Sequence, residues 1–288
     1  MPADQTELNT PEIQRERAKS GIDVVQVAAM SAIPWLLHAF STRRGGVSSV
    51  YSGSHEAEDL NLGFTEADDK ANVVTNRERF LKAVTRDPGF PLITVRQVHS
   101  AVVKILASAD AGMDSNLGPA DGMITAEAGV LLGIQTADCI PVLVADRRRR
   151  VVGAFHAGWR GTVKRIVEDG VARMRAEFGS EPEDLVAAIG PGIGQCCYGV
   201  GEEVRSEFAS QFSNAAALFR EAGTGENRKA HLDLVEANRQ QLLDAGLAPS
   251  AISAVGECTG CRTDRYFSYR AERGSTGRML SVIGVKPA

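Results

Sequence analysis

The sequence predicts an α/β fold, a single domain with layered mixed β-sheets flanked by helices. Two observations predict this class. Short runs rich in Val, Ile and Leu are interspersed along the chain with longer amphipathic segments. Several short runs are apolar at nearly every position, as is typical of strands covered on both faces. The predicted strands are Ile22–Val27, Leu92–Val98, Val130–Thr136, Ile140–Ala145, Val151–His156, Leu185–Ile189 and Met279–Val285.

The clearest predicted helix covers Thr162–Phe178, where apolar residues recur every three or four positions and polar residues fill the other face. Gly161 and Gly179 lie at its two ends, as expected for start and stop positions. The other predicted helices are Asp68–Val84, Glu202–Phe212 and Leu234–Ala245. Helices mixed with buried strands favour stacked sheets with helices outside them.

Composition limits the classes of partner. The chain has 288 residues, 43% of them hydrophobic, and a net charge of −4. A weakly acidic chain has no general attraction to nucleic acid or anionic lipid, so we expect neither partner. We expect residues 1–20 to be a disordered leader and residues 21–288 to form one domain. Five cysteines without a regular framework favour a cytoplasmic protein. We expect a monomer or a small homo-oligomer.

Three residues form a candidate metal site. His99 and His156 each end a predicted strand, where a rigid scaffold can present a side chain. Cys139 directly precedes the strand Ile140–Ala145. If the next two strands form a hairpin with a turn centred on Arg147 and Arg148, Cys139 lies directly opposite His156. We therefore hypothesise that these two side chains share one face of the sheet.

Two imidazoles and one thiolate leave a fourth tetrahedral position, the pattern of a catalytic zinc site. Copper could compete for these ligands. The simpler interpretation is an unrelated buried cysteine and two hydrogen-bonded histidines.

Ordered motifs give the chain a family resemblance over roughly residues 22–285. The chain resembles the laccase-domain, YfiH-like family, also called multicopper polyphenol oxidases and purine nucleoside phosphorylases. Gly192–Gln195 departs from that pattern but contains no presumed ligand, and the Cys-Thr-Gly-Cys at 258–261 is also peculiar to this chain. The matching motifs are Phe40–Arg43, Gly45–Ser48, Leu60–Gly63, Asn76–Arg77, Gln97–His99, Ala120–Gly122, Thr136–Cys139, His156–Gly161, Ile189–Pro191, Cys196–Tyr198, Phe267–Arg270 and Gly277–Arg278.

The resemblance implies a single layered α/β domain and a zinc ion held by His99, Cys139 and His156. It also implies phosphorolysis of adenosine, inosine and methylthioadenosine, together with deamination of adenosine. The expected partners are therefore purine nucleosides and inorganic phosphate.

Phosphate would need cationic groups. Arg43 is the first candidate because it lies beside a Gly-Gly turn whose backbone can approach an anion. Arg160 precedes a predicted helix N-terminus, which favours negative charge. Arg270 and Arg278 are further candidates. The alternative for each arginine is an ordinary solvated charge.

The remaining candidates are polar. Asn61 is expected to bind ribose or base, or else to close a turn. Asp138 is expected to act as a general base or to orient a ligand, and Gln97 shares a strand face with His99. With Cys139 and Arg43, Asn61 and Asp138 form the expected catalytic set.

Three other functions remain open. One is a copper-dependent polyphenol oxidase, although five histidines cannot supply a multicopper cluster. Another is a cysteine hydrolase, such as a peptidoglycan-editing factor, with Cys139 as nucleophile and His156 as base. The third is a binding protein without turnover.

Four further cysteines lie outside the expected active site. Cys258 and Cys261 form a lone C-x-x-C, and the adjacent Cys196 and Cys197 do not supply a second one. We expect these four cysteines to be reduced and structural.

Overall fold

A computed structural model describes residues 13–17, 21–52, 58–107, 116–223 and 229–287. Its strands are β1 Ile13–Arg17, β2 Asp23–Val27, β3 Leu36–Ser41, β4 Arg44–Ser48, β5 Leu92–Arg96, β6 Val103–Ile105, β7 Asn116–Pro119, β8 Gly122–Thr125, β9 Val130–Thr136, β10 Ile140–Asp146, β11 Val152–Ala157, β12 Leu185–Ile189, β13 Gly199–Val200, β14 Phe219–Ala222, β15 Lys229–Leu232, β16 Ile252–Ala254 and β17 Met279–Val285. Its α-helices are α1 Ala28–Ser31, α2 Lys70–Thr85, α3 Trp159–Val163, α4 Ile166–Phe178, α5 Glu202–Gln211 and α6 Leu234–Asp244.

Two large mixed sheets form the centre of the fold. The first has the strand order β1-β2-β3-β17-β9-β5-β7, and the second has the order β16-β12-β10-β11-β8-β6. Most neighbouring strands are antiparallel. The parallel pairs are β5 with β7 and β9, β12 with β16, and β6 with β8. A small third sheet has the order β13-β15-β14.

The two large sheets pack face to face, and helices cover their outer faces. Strand β10 is apolar throughout because each of its two faces packs against a different core. Val142 and Val144 pack among residues of α3 to α6, whereas Leu143 and Ala145 pack among residues of the first sheet. On the far side of the first sheet, Phe80 of α2 packs with strand residues. Successive side chains of a strand point to opposite faces, so a strand between two cores must be apolar at every position. The predicted layered α/β class is confirmed.

The predicted strands are all present, and β9, β12 and β17 have the predicted bounds. The long predicted helix is wrong in one respect, because it breaks into α3 and α4. Arg165, between them, has a left-handed φ of 61°. Gln241 of α6 replaces the lost helical hydrogen bonds: its amide donates to the carbonyl of Thr162 and accepts from the amide of Val167. The apolar spacing continues across the break, so periodicity could not reveal it.

One strand lies within the expected leader. Residues 13–17 form β1 and pair with β2 along its whole length. The free edge of β2 offers backbone hydrogen bonds that do not depend on apolar side chains, so composition did not predict this strand. Residues 1–12 and 18–20 lie outside the described residues.

The expected register of the β10–β11 hairpin is also wrong. His156 pairs with Pro141, not with Cys139. The turn has four residues because the carboxylate of Asp146 accepts hydrogen bonds from the amides of Arg148 and Arg149, both at 2.8 Å. The shift amounts to two residues along one strand, and a shift of two keeps every side chain on its face. Cys139 and His156 therefore still approach each other, on the diagonal.

None of the helices in the described ranges has the length and apolarity needed to cross a bilayer.

Buried His38 predicts a pH dependence of stability. Its Nε2 accepts a hydrogen bond from the amide of Val27 at 3.0 Å, and burial lowers its pKa to about 4. His38 therefore stays neutral in the native state at pH values where the same side chain binds a proton in the unfolded chain, near pH 6.5. This contribution to stability is complete above pH 6.5 and is lost progressively as the pH falls to about 4, by about 3 kcal/mol in total.

The variant His38→Gln keeps a hydrogen-bond acceptor but does not titrate. We expect its free energy of unfolding to fall less than that of the wild type between pH 6.5 and pH 4, as measured by urea denaturation. Parallel pH profiles for the two proteins would contradict this assignment.

Candidate active site

Three chain segments meet where the two large sheets adjoin. His99 follows β5 of the first sheet, Cys139 lies in the connection from β9 to β10, and His156 belongs to β11 of the second sheet. The Sγ of Cys139 lies 3.9 Å from Nε2 of His99. The three potential ligand atoms all lie within 4.8 Å of one another. His156 is buried and His99 is exposed, so the group lies at the edge of the interior.

Two residues at this junction have left-handed backbone conformations. His99 has a φ of 57° and Asp138 has a φ of 87°. Such conformations cost about 1–3 kcal/mol each for residues other than glycine, and they persist only where surrounding contacts enforce them. Asp138 is held by the hydroxyls of Thr259 and Ser268, at 2.6 and 2.7 Å, and by the amide of Arg270. These contacts turn the chain sharply just before Cys139.

Asp121 connects the histidine segments. Its fully buried carboxylate accepts hydrogen bonds from the amides of Val98, His99 and Ser100 and from the hydroxyl of Ser100. Its Oδ1 also lies 2.8 Å from Nδ1 of His156. Burial opposes its ionisation, but the hydrogen bonds from His156 and Ser100 outweigh burial and hold the pKa of Asp121 well below its usual range. One carboxylate thus fixes the loop of His99 and the ring of His156.

The same contacts set the charges of the group. Burial raises the pKa of the Cys139 thiol, but the neighbouring His156 and His99 lower it more, so the net shift is downward. Burial lowers the pKa of His156, whereas Cys139 and Asp121 raise it, and the net shift is upward. The site therefore favours a thiolate, the form of cysteine that binds metals.

The donor set fits a metal ion. Because Nδ1 of His156 is held by Asp121, its Nε2 is the nitrogen free to ligate, an arrangement common in metal-binding histidines. Gly158 leaves the necessary space. A Cβ atom there would lie 2.9 Å from the Sγ of Cys139 and 3.1 Å from Cδ2 of His99. Two imidazoles and one thiolate could hold a zinc ion with one position left for another ligand.

A cavity of about 860 Å³ opens beside the three residues. Aromatic side chains line much of it, namely Phe64, Trp159, Tyr198 and Tyr269. Phe64 and Tyr269 are 54% and 55% exposed, so two large rings at the cavity face solvent. Exposed apolar surface of this kind is typical of a ligand-binding cleft.

Three arginines also line the cavity: Arg96, Arg270 and Arg278. The guanidinium of Arg270 lies 5.2 Å from the ring centre of Tyr198 and donates to the carbonyl of Gly199. A guanidinium beside an aromatic ring suits a ligand with both a planar base and an anionic group.

Among the sequence candidates, Gln97, Asp138 and Arg270 line this cavity with the three potential ligands. The side-chain amide of Gln97 is bound to the backbone of Gln135 on β9, because it donates to the carbonyl and accepts from the amide of that residue. Asp138 likewise holds the loops described above. Arg278, a further phosphate candidate, is also at the cavity.

Two candidates lie in separate buried networks and not among the residues that line the cavity. Arg43 forms ion pairs with Asp59 and Glu272, at 2.8 and 3.0 Å, and donates to two backbone carbonyls. Asn61 is fully buried, donates to Asp68 and accepts from the amide of Arg278. Protein groups bind the polar atoms of both side chains, whereas the sequence led us to expect contacts with substrate.

Arg160 also lies outside the cavity lining. Its guanidinium stacks 4.4 Å from the ring centre of Trp159. The predicted helix begins at Thr162, but the observed five-residue helix α3 begins at Trp159. Arg160 therefore lies within the helix rather than before it.

Sequence reasoning assigned no role to Asp121 or to three aromatic residues of the cavity, Phe64, Tyr198 and Tyr269. The Ala-Asp-Gly motif at 120–122 was visible, but an isolated aspartate gives no indication of its partners. Tyr198 and Tyr269 were part of motifs without a role. Only the fold brings them beside the histidines.

The role of Asp121 predicts the effect of Asp121→Asn. Asparagine replaces one carboxylate oxygen with an NH2 group that cannot accept hydrogen bonds, so either the donors of Ser100 or the ring of His156 lose their acceptor. We expect metal affinity to fall by about 10–100-fold, as measured by competition with a chromophoric chelator.

The matched control is Asp146→Asn, at the opposite end of the hairpin. Asp146 is also fully buried and accepts two backbone hydrogen bonds, but it touches no residue of the site. Its affinity for metal should match that of the wild type. Equal affinity in both variants would remove the role assigned to Asp121.

Known proteins with similar sequences include enzymes by name. A purine nucleoside phosphorylase from Deinococcus radiodurans is 41% identical over 257 residues, covering 86% of this chain and 88% of the relative. The adenosine deaminase RL5, from an unknown prokaryotic organism, is 33% identical over 255 residues, covering 86% of this chain and 93% of the relative. These names support an enzyme.

The fold also matches a solved structure. YlmD from Geobacillus stearothermophilus superposes with a TM-score of 0.83 at 33% identity, covering 96% of this chain and all of that one. A family model described as multi-copper polyphenol oxidoreductase laccase matches residues 37–286. The chain therefore belongs to this laccase-like, YfiH-like family.

Proposed function

We propose that the protein is a zinc-dependent purine nucleoside phosphorylase, acting on adenosine, inosine and methylthioadenosine, with adenosine deaminase activity. One observation carries the proposal: the His99–Cys139–His156 group adjoins a cavity lined by aromatic rings and arginines. The names of the relatives support purine nucleosides as the class of substrate. The free thiols of all five cysteines are consistent with a cytoplasmic location.

The aromatic residues are proposed to bind the purine. A flat base can stack on a tyrosine or tryptophan ring, and Tyr198, Tyr269 and Trp159 all line the cavity. Arg270 and Arg278 are proposed to bind the phosphate, since guanidinium groups match its geometry. Arg43 and Asn61 are instead proposed to support the wall of the cavity, because the amide of Arg278 is bound by Asn61.

The His99–Cys139–His156 group is proposed to mark the end of the cavity where the reaction takes place. A bound zinc ion would supply Lewis-acid chemistry beside the base and sugar. Asp121 keeps Nδ1 of His156 engaged, so that Nε2 points to the ligand group. Asp138 acts as a positioning residue, because its carboxylate oxygens already accept three hydrogen bonds from Thr259, Ser268 and Arg270.

The central experiment incubates metal-analysed protein with inosine, with and without inorganic phosphate. We expect phosphate-dependent release of hypoxanthine and its loss in Cys139→Ser. A parallel incubation with adenosine should yield ammonia. Absence of base release from adenosine, inosine and methylthioadenosine would sink the phosphorylase proposal, whatever the ammonia result.

Arg270 allows a test of phosphate binding. Its backbone amide holds Asp138, and Arg270→Gln retains that amide while it removes the guanidinium. We therefore expect at least a tenfold rise in the KM for phosphate and a smaller change in the KM for inosine. Arg175→Gln, on the exposed face of α4, is the control and should leave both constants unchanged. Equal effects on the two KM values would argue against a phosphate ligand.

A second candidate function has a specific observation in its favour. Asp121, His156 and Cys139 form a carboxylate–imidazole–thiol series, the arrangement of cysteine hydrolases. A chelator distinguishes the two functions. It should abolish nucleoside turnover by a zinc enzyme and spare a hydrolase that depends on a thiol.

A further inference from the structure

Four cysteines outside the active site form a second compact cluster. Cys196 and Cys197 lie in the turn that follows β12, and Cys258 and Cys261 lie in the turn that follows β16. The Sγ of Cys261 lies 3.4 Å from the Sγ atoms of both Cys196 and Cys197. All four sulfur atoms lie within 4.8 Å of one another.

The spacing of the sulfur atoms fits a shared ion. A disulfide bond would bring two sulfurs to about 2.05 Å and leave the others apart. Four thiolates around zinc, with Zn–S bonds of about 2.3 Å, place the sulfurs roughly 3.8 Å from one another by tetrahedral geometry. The observed cluster has four mutually close sulfurs, two of whose separations are 3.4 Å.

The backbone is shaped around these sulfurs. The amide of Gly194 donates a hydrogen bond to the Sγ of Cys258 at 3.1 Å, which stabilises negative charge on that sulfur. A Cβ atom at Gly194 would lie 3.3 Å from the Sγ of Cys196. A Cβ atom at Gly260 would lie 3.2 Å from the Sγ of Cys197. Both turns therefore approach the cluster at distances that a larger residue would crowd.

We propose that Cys196, Cys197, Cys258 and Cys261 bind one zinc ion, as a structural site separate from the His99–Cys139–His156 group. Four sulfur ligands and no nitrogen or oxygen ligand form a closed tetrahedral set, which is typical of structural zinc. The active-site group differs in having three ligands. The sequence pattern concealed the site because one half is an adjacent pair, not a second C-x-x-C.

The position of the cluster gives this ion a role. The turn with Cys196 and Cys197 leads directly into Tyr198, which lines the cavity. The turn with Cys258 contains Thr259, whose hydroxyl donates to Asp138 beside Cys139. A zinc ion that joins the two turns therefore fixes a wall of the active-site cavity to the connection that presents Cys139.

The test begins with Cys139→Ser, which removes a ligand of the active-site group and leaves the cluster intact. We expect this variant, purified without added metal, to retain one zinc per chain by mass spectrometry. Its zinc X-ray absorption spectrum should show a shell of four sulfurs at about 2.3 Å. Adding Cys258→Ser and Cys261→Ser should reduce the zinc content to less than a tenth of that value and lower the Tm.

The spectrum of Cys139→Ser decides the question even if the triple variant does not fold. Zinc with nitrogen ligands would overturn the proposal, as would a chain with no zinc and four titratable thiols. Iron in the cluster, or a loss of two thiols to a disulfide without metal, would overturn it as well. These readouts do not depend on nucleoside turnover, so they remain valid if the proposed activity is absent.

Discussion

A single buried carboxylate organises the candidate active site. Asp121 accepts hydrogen bonds from three successive amides around His99 and from the ring of His156, and it has no exposed surface. A buried carboxylate is costly unless it is fully hydrogen-bonded, and here the partners that satisfy it are the segments that carry the histidines. The same contacts hold His99 in its left-handed conformation. The placement of both imidazoles is thus coupled to the burial of one charge.

The other side of the site depends on how the chain crosses between the sheets. Strand β9 belongs to the first sheet and β10 to the second, and only Ala137, Asp138 and Cys139 connect them. So short a crossing requires the left-handed turn at Asp138, and the hydroxyls of Thr259 and Ser268 stabilise that turn. The strained backbone therefore lies where the thiol is presented, and its stabilising contacts come from a distant part of the sequence.

Polar residues with similar prominence in the sequence have different roles in the fold. Arg43 neutralises Asp59 and Glu272 in the interior, and removal of one partner from such a buried pair costs about 3–5 kcal/mol. The side chain of Asn61 accepts a hydrogen bond from the backbone amide of Arg278 and so supports that residue. Arg270, by contrast, retains a guanidinium at the cavity. All three residues belong to sequence motifs. Only their surroundings in the fold show that Arg43 and Asn61 bind protein groups, whereas Arg270 can contact a ligand.

The sequence by itself determined the layered fold class, seven of the strands, most helices, and the candidate ligands His99, Cys139 and His156. It could do so because burial on two faces makes a strand such as β10 apolar throughout, and chemistry restricts which side chains bind metals. The tertiary structure alone decided the hairpin register, the break at Arg165, the pairing of β1, the role of Asp121 and the meeting of four cysteines from two turns. Each of these depends on a hydrogen bond or an approach between residues far apart in the chain, and local periodicity contains no information about such partners.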